Sequence, residues 1–319
     1  MKLSIQSATT RGVVFALCGM AFLSIMDALA KWLVMNDIHT IEVLAIRGIL
    51  IAVVLVLFYS LRGKGELLVP ARPWAQLLRG TTGIIAPLTF FLAIKHLPLS
   101  SAVVVFFSSI FMTTMLSVLV LREKVGPHRW FAVIAGYIGV VIAMSPGFLQ
   151  SQADNSNALT GYLLVLVSSL SYAILFISGK VLTRTDTVAS LVLSYNICVG
   201  IIAMIALPWF WHPPTAFEWV LIISLAAVAV AGHFCVTYAF SQADASIIAP
   251  LEYTVVLWAV LFDVLIWKEI AGAPTWIGAL IIIGSGLYLL HREHLRKQSA
   301  DNSGQLVTSG PVSRIPTRK

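Results

Sequence analysis

Residues 121–130 read LREKVGPHRW and residues 266–276 read IWKEIAGAPTW. Each stretch closes a long apolar run with one acidic residue, Glu123 or Glu269, and places a tryptophan seven positions later, Trp130 or Trp276. The offset is 146 for both, and it also carries Ala93 onto Ala239 and Ser100 onto Ser246 without a gap. A shift of 149 carries Gly12 onto Gly161 and Lys31 onto Lys180. Polar and glycine positions carry much of this match, and apolar helices do not share those merely by being apolar. The chain reads as two copies of one unit.

Composition says where the units reside. Of 319 residues 59% are hydrophobic and only 11% charged, with a mean hydropathy of +0.92. A soluble domain carries about 25% charged residues, so a soluble enzyme, a nucleic-acid binder and a disordered scaffold are all poor readings. The net charge of +7 matters less than where the charges stand. Cys18, Cys198 and Cys235 each lie in an apolar run, which fits core packing and neither a disulfide framework nor a metal cluster.

A window of about 20 residues, the length that crosses a bilayer, finds ten apolar segments. They lie near residues 12–34, 41–61, 75–95, 98–121, 129–146, 158–182, 188–209, 217–240, 244–267 and 274–291. Lipid-exposed backbone must satisfy its own hydrogen bonds, and no segment alternates like a barrel strand, so the fold class is all-α. Lysines and arginines gather in alternate joints, which the positive-inside rule assigns to the cytoplasm together with both termini. The organisation is then a cytoplasmic N-terminus (1–11), a first five-helix repeat (12–146), an extracytoplasmic linker (147–157), a second repeat (158–291) and a disordered cytoplasmic tail (292–319). Five is odd, so the second unit enters the membrane from the opposite side. Inverted repeats of this kind place a substrate site near the midplane between them.

The ten spans, the two halves and the endings LREKVGPHRW and IWKEIAGAPTWIGALIIIGSGLYLL resemble the EamA-type members of the drug/metabolite transporter superfamily, from residue 11 to about 291. Within it, MDALAKWL (26–33), IEVLAIRG (41–48), LLRG (77–80) and APLEYT (249–254) are similar to the group containing S-adenosylmethionine and riboflavin uptake carriers. The resemblance implies a carrier in the inner (plasma) membrane, working without a cofactor on a small organic molecule. One departure from a common family pattern is the absence of proline from the middle of span four, VVVFFSSIF (103–111).

Charges inside a bilayer cost at least about 2.5 kcal/mol even on lenient scales, so each needs a partner, a cavity or a function. Spans one and two turn around a joint near residue 38, and equal distances from it mean equal depth. Asp27 is then level with Arg47, and Lys31 with Glu42, a four-charge ladder that either clamps the two helices or lines the outer entrance. By the same arithmetic His233 and Glu252 are level near the cytoplasmic side. With Tyr253 they form a candidate substrate site able to exchange protons, two residues from Pro250, which frees a backbone carbonyl. Tyr172, Tyr195 and Asn196 fall in the central region and can stack on or hydrogen-bond a flat substrate. Arg79 is expected to snorkel to the headgroups or pair with Glu123, and Asp263 to be solvated without a role.

No Gly-rich phosphate loop or His-Glu-x-x-His motif occurs, and the histidines are scattered, so neither an ATP-driven pump, an intramembrane metalloprotease nor a metal site is supported. No repeated selectivity segment suggests a channel. Alternating-access transport of a small molecule by a monomer or homodimer remains, with uptake of S-adenosylmethionine, riboflavin or an amino-acid derivative as the leading reading and a drug or metabolite exporter as the alternative.

Overall fold

The computed structural model describes residues 2–122, 126–149, 155–242 and 245–308, and every regular element among them is helical. Seven of the ten spans are single helices in their membrane part, among them α1 (Lys2–Met35), α2 (Thr40–Leu61), α7 (Pro127–Leu149), α8 (Asn155–Leu182) and α9 (Val188–Phe210). So are α10 (Ala216–Gln242) and α13 (Ala273–Thr308). The third span is divided into α3 (Pro73–Gly83) and α4 (Ile85–Ala93), and the fourth into α5 (Leu99–Phe106) and α6 (Ser108–Leu121). The ninth runs through α11 (Ala245–Ile248), a 3₁₀ stretch Ala249–Tyr253, α12 (Thr254–Phe262) and a π turn Asp263–Trp267. Among the described residues, seven helical segments are long and apolar enough to cross a membrane, and two shorter apolar helices cover 130–146 and 273–289. The divided third span, which carries Arg79, completes the ten.

Packing follows the repeat. Helix α2 lies on α9 and α7 on α13, each a span against its own counterpart, while α1 packs on α10 and the equivalent pair sets α3 and α4 on α8. Two units related by a twofold axis in the membrane plane make these contacts. Lipid offers helices no hydrophobic reward for associating, so close backbone approach at small residues holds them together. A Cβ on Gly48 would fall 2.7 Å from the Gly200 backbone nitrogen, and one on Gly278 2.5 Å from the Gly139 carbonyl oxygen. Outward faces are apolar and open, as at Leu61 (86% exposed), Leu119 (71%) and Leu280 (72%), which suits contact with acyl chains.

The duplication reaches the backbone. Arg122 (φ +53°) and Lys268 (φ +58°), 146 residues apart, both adopt the left-handed conformation that closes spans four and nine. The amide of Arg122 donates to the Ser117 carbonyl and that of Lys268 to the Asp263 carbonyl, and these acceptors are again 146 apart.

Breaks in the divided spans have local causes. Pro87 in α4 lacks an N–H and its ring crowds the Gly83 carbonyl, so the third span is interrupted at Ile84. Span nine winds into a 3₁₀ stretch at Pro250. Span four breaks at Phe107 without a proline, and Phe107 is the counterpart of Tyr253, where the 3₁₀ stretch ends. The two rings lie 5.0 Å apart, so the pseudo-twofold axis passes between them. Hydroxyls serve carbonyls near these breaks: Ser168 Oγ donates to Ala86 O (2.7 Å) and Ser169 Oγ to Phe106 O (3.3 Å).

Two ends differ from the sequence expectation. Helix α1 begins at Lys2, and α13 runs on to Thr308 through residues 292–308, which the sequence reading left without structure. Arg, Glu, Lys and Gln there are good helix formers with no proline among them. The repeat-closing Glu123 lies outside the described residues.

Candidate functional site

Side chains from both repeats converge around the broken helices. Arg47 on α2 lies within electrostatic range of Asp27 on α1, Tyr195 on α9 and His233 on α10. Tyr195 interacts in turn with Arg79 on α3 and Tyr172 on α8. Tyr172 interacts with Glu252, in the 3₁₀ stretch of span nine. Seven charged or hydroxyl-bearing groups on seven spans thus form one connected set. Protein surrounds them, yet Tyr172 remains 42% exposed, His233 is exposed, and Asp27, Arg47, Tyr195 and Glu252 are half-buried. Ionisable groups left partly open inside an apolar bundle mark a candidate substrate path.

Arg47 is the least satisfied member. Its Nε is buried with no hydrogen-bond partner, and the guanidinium carbon sits 6.0 Å from the Phe91 ring centroid. Beside it, Gly48 meets Gly200 and the Asn196 carbonyl at the α2–α9 crossing, which holds the arginine's backbone firmly. A guanidinium presents several donors in a planar fork suited to a carboxylate or phosphate, and here part of that fork waits unused. Arg79 is better satisfied: its Nε donates to Leu175 O (3.2 Å) and its Nη1 to Leu191 O (3.4 Å). It therefore does not snorkel to the headgroups. It stays inside because Gly179 opens room for it, a Cβ there falling 3.1 Å from Arg79 Nη2. The suggested Glu123 partner lies outside the described residues.

The remaining expectations divide. Tyr172 lies edge-on to Phe106 with ring centroids 5.3 Å apart, and Phe106 is the counterpart of Glu252, so the second repeat contributes a carboxylate where the first contributes a ring. Asn196 is buried and donates to its own helix at Val192 O (2.9 Å). Tyr253 interacts with Glu252 at the edge of this set and packs against Phe107, its hydroxyl occupying the space above Gly286 on α13. His233 and Glu252 form no hydrogen bond with each other; the 3₁₀ winding directs Glu252 toward Tyr172 instead.

The four-charge ladder is not formed as expected. Asp27 and Arg47 interact through the field without an ion pair, and Lys31 and Glu42 do not meet. Helix α1 packs on α10 and α2 on α9, leaving few contacts between α1 and α2, so equal depth does not make neighbours. Lys31 instead pairs with Asp263 Oδ1 (3.2 Å) and Glu269 Oε2 (2.7 Å), over the Trp267 ring at 4.4 Å. Glu42 accepts a long bond from the His212 amide (3.4 Å). Asp263, expected to be solvated, is 1% exposed and also accepts from Leu99 N (2.8 Å), Ser100 N (2.7 Å) and Ser100 Oγ (2.6 Å). Those amides open α5, and a helix N-terminus favours an anion. Among the described residues no group of three or more His, Cys, Asp or Glu side chains is arranged to hold a metal ion.

A ten-span bundle with an inverted repeat and a polar set at its broken helices defines a membrane transporter, not an enzyme. The sequence profile of the EamA-like transporter family matches twice, over residues 10–145 and 159–290, and the chain belongs to that family. It is 27% identical to the S-adenosylmethionine uptake transporter of Rickettsia bellii (strain RML369-C), over 88% of this chain and 94% of that one. It is 25% identical to the riboflavin transporter of Vibrio cholerae, over 94% and 99%, and 26% identical to the pseudopaline exporter of Pseudomonas aeruginosa, over 85% and 93%. A solved crystal structure superposes with a TM-score of 0.59 at 16% identity, covering 92% of this chain and 99% of its own, and shares the fold.

Proposed function

We propose that this protein takes up a small zwitterionic metabolite of the S-adenosylmethionine or amino-acid-derivative type across the plasma membrane, with both termini in the cytoplasm. The observation that carries the reading is Arg47: a cation inside a membrane protein, short of hydrogen bonds, beside Asp27 and accessible aromatic side chains. Its role is to receive the carboxylate. Asp27 and Glu252 offer negative charge to the substrate's cationic part, while Tyr172 and Tyr195 give flat surfaces to a ring. Asn196, His233 and Tyr253 support the site, and Lys31 and Glu42 act at its outer approach. His233 and Glu252 stand where protons can couple to movement, each by its own partners. Uptake is favoured by the similarity to S-adenosylmethionine and riboflavin carriers along most of the chain, and export is the alternative because an exporter is nearly as similar.

The test is uptake of labelled S-adenosylmethionine, riboflavin and a panel of amino acids into cells producing the protein. Saturable uptake of a carboxylate-bearing compound, abolished by Arg47→Gln, is the expected result. Faster loss of a preloaded compound with no uptake of any would overturn import in favour of export.

A further inference from the structure

We propose that Asp263 is the keystone of an outer gate, holding the first repeat against the second on the side opposite the termini, and that an asymmetry between the repeats makes this the more firmly closed side. The proposal rests on the transporter reading and on the orientation given by the lysine and arginine distribution.

The contacts converge on one carboxylate. Asp263 belongs to span nine of the second repeat, while all four of its donors, Lys31 Nζ, Leu99 N, Ser100 N and Ser100 Oγ, belong to the first. Two moving parts are thus joined across their boundary: α1 through its lysine and α5 through its opening amides. Glu269 adds a second contact to Lys31 and keeps its side chain 38% exposed, so water reaches the outer rim of the lock while Lys31 and Asp263, each 1% exposed, are sealed. Pro98, which precedes α5, provides no side-chain cap, and Asp263 supplies that cap from the other repeat. Span nine can leave span four only by stripping the helix start of its acceptor and Lys31 of a partner.

The opposite side of the membrane differs at the keystone position. By the repeat offsets, Lys180 corresponds to Lys31 and Ser117 to Asp263. Ser117 carries no charge and donates to Thr114 O within its own helix at 2.8 Å. The carboxylate that ties two repeats together at the outer end is therefore replaced, at its counterpart position, by a hydroxyl that stays within its own helix. A two-state carrier built on this scaffold favours the conformation closed to the outside, and an incoming substrate must supply the interactions that open it. This differs from the role of Arg47 and Glu252, which hold the substrate itself.

Sided thiol labelling tests the gate without requiring a known substrate. Cys18, Cys198 and Cys235 are replaced, and Ser24→Cys is introduced on α1, two turns inward of Lys31, where the side chain is buried. A membrane-impermeant maleimide is then added to intact cells. With Asp263 present, labelling from outside is slow. Asp263→Asn raises its rate by about tenfold or more, because losing a charge-assisted contact moves a two-state equilibrium by roughly that factor. Ser100→Ala, which removes one of the four donors and leaves every charge in place, gives a smaller rise in the same direction and guards against misfolding of the first variant. Unchanged labelling in both properly inserted variants would overturn the proposal, as would a rise seen only in inside-out vesicles. If labelling rises as expected while no compound is taken up, the gate stands and the substrate reading fails.

Discussion

Gly286→Ala tests how the breaks in spans four and nine are supported. A Cβ at Gly286 would lie 1.6 Å from the Tyr253 hydroxyl oxygen and 2.7 Å from its Cζ. Ordinary contact begins near 3.4 Å, so the hydroxyl must withdraw by about 1.8 Å. Tyr253 is 8% exposed and leans on Phe107, which leaves its ring little freedom to swing, and the 3₁₀ stretch fixes its backbone. The strain falls on the contact between the 3₁₀ stretch and α13 and on the Phe107–Tyr253 contact, a case of overpacking that costs about 1–3 kcal/mol. Thermal unfolding of the purified protein in detergent should therefore show a lower midpoint for Gly286→Ala. Tyr253→Phe removes the oxygen at 1.6 Å but leaves Cζ at 2.7 Å, so the double variant should recover part of the loss. Equal midpoints for Gly286→Ala and the unmodified protein would refute this packing, and strictly additive losses would show that the two residues do not meet.

Three further outcomes follow from the same geometry. Gly278→Leu should lower the unfolding midpoint through a loss of more than about 2 kcal/mol, because even a Cβ would sit 2.5 Å from Gly139 O and 2.6 Å from Ala143 Cβ. Arg47→Lys should keep less than about a tenth of the uptake rate, since an ammonium restores charge but not the planar fork; uptake equal to that of the unmodified protein would contradict the carboxylate role. Asp186, in the joint between α8 and α9, is largely covered, which works against its charge. Bonds from Thr185 Oγ1, the Ala71 and Arg72 amides and Gln76 Nε2 outweigh that and hold its carboxyl below the usual 3.8. A depressed folded pKa contributes stability that is complete above the unfolded value and is lost as pH falls through the folded one. The midpoint gap between the unmodified protein and Asp186→Asn should accordingly persist from pH 7 to about pH 4 and close below it.

Spans and repeat were legible because hydropathy and residue offsets are properties of the sequence taken in order. Depth was legible too, since rise per residue is fixed: Asp27 and Arg47 do feel each other. Neighbourhood was not. Which helix lies beside which depends on packing between repeats, so depth alone points Lys31 at Glu42 although its partners are 232 and 238 residues away. Asp263 looks solvated in the sequence because it stands near a span end, and only the fold brings the start of α5 against it. The break at Phe107 carried no proline signal, yet the offset that matched Glu123 to Glu269 also matches Phe107 to Tyr253, three residues after Pro250, and this correspondence could have placed it.

Transport in reconstituted vesicles tests most directly whether residues of both repeats build one substrate site. Labelled S-adenosylmethionine uptake is measured for the unmodified protein, for Arg47→Gln from the first repeat and for Glu252→Gln from the second, each with its inserted amount determined. Saturable uptake should fall by about tenfold or more in both variants, the equivalent of roughly 1.4 kcal/mol for each lost interaction. Full uptake in either variant would show that its repeat does not contribute that charge to the site and would contradict the shared-site account.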